Sequence, residues 1–326
     1  MSTMAQTASS HVGGCNESKE FSLEDLCKIH PNDIYQSETA DKYSKEYLPK
    51  IFLTNAQSLQ NKLEYLKLEL KKEEEEKECH LVCITETWEK GDSPKCEFSD
   101  SLNGYMYICE RRHVGEKCCN VERGGGLIAY CRKGKKIEKI DQLCEQINQR
   151  KIKDRSLETD VGYEIMPFFY RTGQAEDIPP VIFILVYITS TQEAGILEAK
   201  KRITKCYELL LQWSKGGPVF LLGDFNKCEF TDVKVKSTQR EHILKQYVTC
   251  PTRGESILDK CYGNIPGAYS SKCRRPLGKS DHNVIFLNPG PAQNECTHPE
   301  AKKDPKRGLE QQMGDLSLAG TTKGKK

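Results

Sequence analysis

The chain has 326 residues, a formal net charge of +2, 37% hydrophobic residues and 29% charged residues. That length holds one large domain with polar ends or two modest ones, and the near-balanced charge excludes a protein held to nucleic acid by bulk charge alone, though not a local basic groove. Sixteen cysteines raise the question of a secreted disulfide framework.

Residues 1–47 are polar and irregular, and start MSTMAQTASSHVGGC, without the basic start and apolar core of a signal peptide. They are expected to form a disordered tail, because too few apolar residues offset the ordering entropy. IFLTN (Ile51 to Asn55) reads as a short buried strand. Leu59, Leu63, Leu66 and Leu70 then recur at helical spacing and run into the solvated KKEEEEKE. HLVCITE (His80 to Glu86) is a second strand, and YMYICERR with GGGLIAYCRKG make an antiparallel pair. A charged loop is expected from about Lys135 to Asp160. YEIMPFFYR and VIFILVYIT form another pair, the second holding the longest apolar run, Val181 to Ile188, far too short to span a membrane.

Ile196, Ala199, Ile203, Cys206, Leu210 and Trp213 mark one face of an amphipathic helix that stops at Gly216-Gly217. PVFLLGDF follows as a strand, and a shorter helix is expected over about Ser237 to Tyr247. ILDKCY and HNVIFL are the last strands. Residues 290–326 are rich in Pro, Gly and Lys and are expected to be a second disordered tail. Residues 48–289 are thus one layered α/β domain. Cys83, Cys206 and Cys261 fall inside apolar patterns as free buried thiols do, and Cys79/Cys83 and Cys118-Cys119 lack finger-like spacing. A reduced intracellular protein without zinc is expected.

Polar residues collect at strand ends, where ligand and catalytic groups tend to lie. Asn55, Glu86 and Tyr187 close strands, Asp224 and Asn226 close VFLLGDF, Asp259 interrupts ILDKCY, and Ser280-Asp281-His282 opens the final strand. Strand alternation would aim Asp224 and Asn226 the same way, with Phe225 facing the core. Glu86 and Asp281 add carboxylates, and Asn55 a neutral oxygen. Oxygen-only ligands suit a hard cation such as Mg²⁺, and carboxylates crowded in a dry pocket require such a partner. Each residue taken singly also fits a turn, a cap or a structural histidine; their joint order is the signal.

Together, TNAQSLQNKLEYL, CITETW, RGGGLIAY, LLGDFN, CPTRGESILD and LGKSDHNVIFL resemble the endonuclease domain of non-LTR (LINE-type) retrotransposons. That domain belongs to the exonuclease–endonuclease–phosphatase superfamily, which includes AP endonucleases. The resemblance implies a four-layered α/β sandwich, with two mixed, largely antiparallel sheets flanked by helices. It implies a metal-dependent DNA endonuclease, monomeric, with Mg²⁺ (or Mn²⁺) held by Asn55, Glu86 and Asp281. Asp224 would orient or deprotonate water. Asn226, His282, Tyr187 and Thr252 would contact phosphate, and Asp259 would orient His282. No reverse transcriptase follows the final strand in this sequence, so RNA copying is not expected of it. The alternatives are a silent binding module of the same fold, or a phosphodiesterase or phosphatase acting on a small phosphorylated substrate. A DNA substrate would favour the nucleus over the cytoplasm, with only basic clusters such as RKGKK (Arg132 to Lys136) as an address.

Overall fold

Two parallel strand pairs, one at the centre of each of two sheets, organise the molecule and set where its polar residues meet. The computed structural model describes residues 22–29, 47–76, 79–89, 95–111, 124–148, 162–172, 180–189, 191–231, 233–237 and 241–290. In chain order the first half runs α1 (Leu23–Ile29), β1 (Ile51–Asn55), α2 (Leu63–Glu76), β2 (Leu81–Thr85), β3 (Tyr105–Glu110), β4 (Leu127–Arg132), β5 (Lys136–Lys139), α3 (Asp141–Asn148) and β6 (Tyr163–Arg171). The second half runs β7 (Val181–Ile188), α4 (Glu193–Trp213), β8 (Val219–Asp224), β9 (Lys234–Lys236), β10 (Glu241–Ile243), β11 (Lys245–Gln246), β12 (Asp259–Gly263), β13 (Tyr269–Pro276) and β14 (Asn283–Pro289).

One six-stranded sheet has the order β13-β14-β1-β2-β4-β3, and the other β11-β12-β8-β7-β6-β5. β1 and β2 are parallel, as are β7 and β8; every other pairing is antiparallel. Parallel neighbours need a long crossover, and α2 and α4 supply it. The alternation of each strand then divides its side chains between cores. In β7, Val181, Phe183, Leu185 and Tyr187 enter the core between the sheets, while Ile182, Ile184, Val186 and Ile188 face α4. In β1, Ile51 and Leu53 enter the same central core, and Phe52 packs under α2. The layers are therefore α2, sheet, sheet, and the α1, α3 and α4 side. This is the four-layered sandwich expected. Phe183 is stacked between Phe168 and Phe220 at centroid separations of 5.6 and 5.5 Å. Such fully buried side chains each contribute roughly 1.5–3 kcal/mol.

The structure departs from the sequence reading in several places. Within residues 1–47, α1 forms and its Leu26 is fully buried against the α4 side; the rest of that range, apart from 22 and 47, lies outside the described residues, as do residues 291–326. The charged stretch after Lys135 opens with β5 and α3, whose Leu143 and Ile147 pack on the sheet, while 149–161 lie outside the described residues. The helix expected over Ser237 to Tyr247 is replaced by the short strands β10 and β11. A helix would put Leu244 and Tyr247, three residues apart, on one face. Here Leu244 joins the α4-side core and Tyr247 the central core, which an extended chain can serve and a helix cannot. Cys83, Cys206 and Cys261 are buried free thiols as expected, but Cys250 and Cys273 form a disulfide, so the expectation of a fully reduced chain does not hold. These two lie 23 residues apart in sequence, and only the return of β13 beside the Cys250 loop brings them together. Among the described residues no helix is long and apolar enough to cross a membrane.

Candidate active site

The carboxyl ends of the four parallel strands lie at one edge of the sandwich. Asn55 and Thr85 are register partners at the ends of β1 and β2, and Tyr187 and Asp224 at the ends of β7 and β8. β12 runs antiparallel to β8, so its first residue, Asp259, stands opposite Asp224. β14 runs antiparallel to β1, which brings the Ser280–His282 turn to Asn55, and Ser280 Oγ donates to the Asn55 carbonyl at 2.9 Å. Ligands in open α/β sheets bind at such carboxyl ends.

Asn55 holds the centre. Its amide Nδ2 donates to Glu86 Oε1 at 2.7 Å and to Asp224 Oδ2 at 2.9 Å, so one neutral group clasps two carboxylates from different sheets. Its Oδ1 accepts the Gln57 N–H at 3.0 Å. Glu86 follows the last residue of β2 with φ of +52°, which carries its side chain out of strand alternation and towards Asn55. Trp88 Nε1 donates to Glu86 Oε2 at 2.9 Å. Gln57, Ser58, Trp88 and Asn226 also have positive φ. Such non-glycine conformations cost about 1–3 kcal/mol each and cluster where geometry is imposed by function. The loops are held by Ser58 N–H to the Glu86 carbonyl and Trp88 N–H to the Gly125 carbonyl, both 2.9 Å.

Asp224, Asp259 and His282 form a buried line. His282 Nδ1 lies 2.6 Å from Asp259 Oδ2, and its Nε2 faces Asp224 Oδ2 at 3.9 Å and Asp281 Oδ1 at 3.7 Å. Burial pushes the Asp224 carboxyl up to about 7, the nearby Asp259 charge adds to this, and His282 and the Asn226 and Asn55 hydrogen bonds oppose it. Burial lowers the His282 pKa, but the Asp259 hydrogen bond and the charges of Asp259, Asp224 and Asp281 outweigh it, and the net shift is upward. Tyr187 stays a neutral phenol: burial raises its pKa, and Glu86 raises it further by charge and hydrogen bond.

The other expected residues are placed less simply. β8 ends at Asp224, so alternation does not carry on to Asn226. Instead the Asn226 backbone N–H donates to Asp224 Oδ1 at 2.9 Å, and its Nδ2 donates to the Ile188 carbonyl at 2.6 Å. Asn226 thus caps Asp224 from the next turn, and Phe225 is core, fully buried against Phe230 and Tyr262. Thr252 is fully buried and accepts the N–H groups of Leu258 and Asp259 at 2.8 and 3.0 Å. Its hydroxyl thus serves the turn that starts β12, next to Asp259. Asp281 is the exposed member, 45% accessible, and its Oδ2 pairs with Arg253 at 2.6 Å.

Three residues of the site escape sequence reasoning. Lys62 is buried, donates to the carbonyls of Gln57 and Ser58, and has its pKa lowered by burial against the opposing charge of Glu86. Glu164 is buried opposite Tyr187 and accepts the Gly126 N–H at 2.7 Å, which locks the RGGG loop to β6. Arg253 is the cation beside Asp281. Lys62 and Arg253 sit inside the quoted TNAQSLQNK and CPTRG segments; Glu164, inside an apolar strand, carries the one local signal of a charge where an apolar residue belongs.

The carboxylates at this edge are of the type that binds a hard dication. Glu86, Asp224 and Asp281 are carboxylates, the ligand type of Mg²⁺, and the Asp224 carboxyl is raised chiefly by burial, with the Asp259 charge adding to it. Asp224, Asp259 and His282 also offer three atoms within 4.8 Å of one another, but His282 Nδ1 is already committed to Asp259. Glu86 and Asp281 could hold such an ion, while Asn55 turns its Nδ2 to Glu86 and Asp224 and its Oδ1 to the Gln57 N–H.

No protein-family model and no curated protein matches the sequence. Solved structures do match. The chain is similar to the AP endonuclease LMAP from Leishmania major, at 11% identity and a TM-score of 0.49 over 85% of this chain and 97% of that one. It is similar to the endonuclease domain of TRAS1, a telomere-specific non-LTR retrotransposon, at 13% identity and a TM-score of 0.44 over 74% and 98%. It is also similar to an endonuclease/exonuclease/phosphatase family protein from Bacteroides thetaiotaomicron, at 13% identity and a TM-score of 0.45 over 74% and 98%. At these identities the likeness is one of fold.

Proposed function

We propose that this chain is a divalent-metal-dependent phosphodiester hydrolase that nicks DNA, an endonuclease of the non-LTR retrotransposon type acting as a monomer at a nuclear substrate. The observation that carries the reading is the line Asp259–His282–Asp224 set against the Asn55–Glu86 clasp at one end of the sandwich. A bound Mg²⁺ or Mn²⁺ would neutralise charge developing on the phosphate and leaving oxygen.

The chain's own residues do the rest. In the metal-free protein burial pushes Asp224 up to about 7, the range in which a general base works best near neutral pH. It takes a proton from the attacking water as the new P–O bond forms and the P–O bond to the leaving oxygen breaks. Asn226 N–H and Asn55 Nδ2 fix its two oxygens. His282, its pKa raised by its neighbours, donates in its protonated form from Nε2 to a phosphate oxygen, and the neutral Tyr187 phenol donates to another. Asp259 acts through His282 as its orienting partner. Arg253 and Lys62 supply positive charge beside the acids.

The test is supercoiled plasmid incubated with the chain and Mg²⁺, beside Asp224→Ala and His282→Ala. Nicking by the parent that falls at least 100-fold in both variants is expected. No nicking by the parent, or equal nicking by all three, would refute the proposal. Hydrolysis of a small phosphorylated substrate without nicking would assign the same residues to a phosphatase, and binding of DNA without turnover would assign the fold to a silent binding module.

A further inference from the structure

A second cluster of ligand-type side chains lies outside the catalytic line, on the α2 side of the sandwich. Glu89, Cys96 and Cys109 each present one atom, all within 4.8 Å of one another. Glu89 lies four residues beyond β2, Cys96 precedes β3, and Cys109 is near the end of β3. Cys96 and Glu89 are almost wholly enclosed, with the Glu89 side chain only 3% accessible.

The two Glu89 oxygens are used differently. Oε1 accepts the Arg111 guanidinium at 2.9–3.0 Å and the Glu97 N–H at 2.8 Å, so one side of the carboxylate is fixed by outer partners. Oε2 faces Cys96 Sγ at 3.5 Å. Zinc ligands are oriented in this way, with one atom on the metal and the other held by neighbours. With Zn–S of about 2.3 Å and Zn–O of about 2.0 Å, the sulfur–oxygen edge of a tetrahedron is about 3.5 Å. The Glu89–Cys96 separation matches that edge. Charge closes as well: two thiolates and one carboxylate against a dication and the Arg111 guanidinium sum to zero, which a largely enclosed site requires.

We propose that Glu89, Cys96 and Cys109 form a zinc site that fixes the loop carrying Glu86. Three protein ligands leave the fourth position of the tetrahedron to water. Glu89 is three residues beyond Glu86, and Trp88 between them donates to Glu86 Oε2, so metal at Glu89 would immobilise that catalytic-side loop from behind. The site is separate from the oxygen-ligand site and does not depend on the chain cutting DNA. The spacings, 7 residues from 89 to 96 and 13 from 96 to 109, match no finger pattern, which is why the sequence led to an expectation of no zinc.

The test is metal analysis of the full chain purified in chelator-free buffer. About one zinc per chain is expected in the parent, and less than a tenth of that in Cys96→Ser/Cys109→Ser. Cobalt(II) in place of zinc should give intense visible bands and a thiolate-to-cobalt charge-transfer band, both absent from the double variant. Should that variant fail to fold, differential alkylation of the unmutated chain decides the matter. Cys96 and Cys109 should be protected and become reactive on addition of a zinc chelator. Equal zinc in parent and folded double variant, alkylation unchanged by chelator, or recovery of Cys96 and Cys109 as a disulfide would each overturn the proposal.

Discussion

Replacing Asp224 by Asn should make the protein more stable at pH 8 while it abolishes nicking. In the metal-free protein the Asp224 carboxyl titrates at about 7 instead of 3.8, chiefly because it is buried. A rise of about three pKa units, at about 1.4 kcal/mol each, is a cost of about 4 kcal/mol for keeping the group ionised in the folded state. The folded pKa is raised, so this cost is complete above about pH 7, fades as the pH falls towards 3.8, and is gone below it. Asn keeps an acceptor for the Asn226 N–H but turns an NH₂ towards Asn55 Nδ2, losing a hydrogen bond worth about 1 kcal/mol. Removing the charge also weakens the pull on His282. The net gain expected is about 2 kcal/mol at pH 8. His282, with a raised folded pKa, stabilises both proteins below its unfolded pKa, an effect lost as pH rises through the folded value, so it largely cancels from their difference. Urea unfolding of parent and variant in EDTA, at pH 8 and pH 5, measures the effect. An Asp224→Asn chain that is less stable than the parent at pH 8, or a difference identical at both pH values, would refute the reasoning.

Further outcomes follow from the same geometry. Asp259→Asn removes the group that holds His282 Nδ1 at 2.6 Å; nicking should fall about 10–100-fold, and the apparent His282 pKa followed by NMR should drop. Gly223 has φ of +138°, and a Cβ there would overlap the Val186 carbonyl; Gly223→Ala should lower stability by about 2–4 kcal/mol in urea melts. Buried Asn264 bonds Val219 N–H and the carbonyls of Gly216 and Gly217; Asn264→Ala should cost about 2–3 kcal/mol in the same melts. DNA affinity of the parent should fall steeply with salt, and Arg253→Ala should lower the slope of log affinity against log salt by about 1; a flat salt response would argue against a phosphate-binding groove.

Local sequence was enough for β1–β4, β6–β8, β12 and β14, the two crossover helices and the polar residues that end those strands. Each of these is written in local periodicity, apolar alternation in VIFILVYI or a 3.6-residue stripe from Ile196 to Trp213. It also placed Asn55, Glu86, Asp224, Asp259 and His282 in one set, because polar residues closing apolar strands carry a signal that neighbours alone can show. What it could not carry were contacts between residues far apart in the chain. Asn55 clasps Asp224 across 169 residues and Ser280 holds Asn55 across 225, separations that only the stacking of two sheets removes. The same limit hid the Cys250–Cys273 disulfide and the Glu89–Cys96–Cys109 cluster. Asn226 shows the complementary failure: alternation aimed it correctly only while the strand lasted, and the turn at φ of +47° made it a cap for Asp224 instead. Tertiary packing decided these features because burial and charge depend on which surfaces meet, and local sequence does not state that.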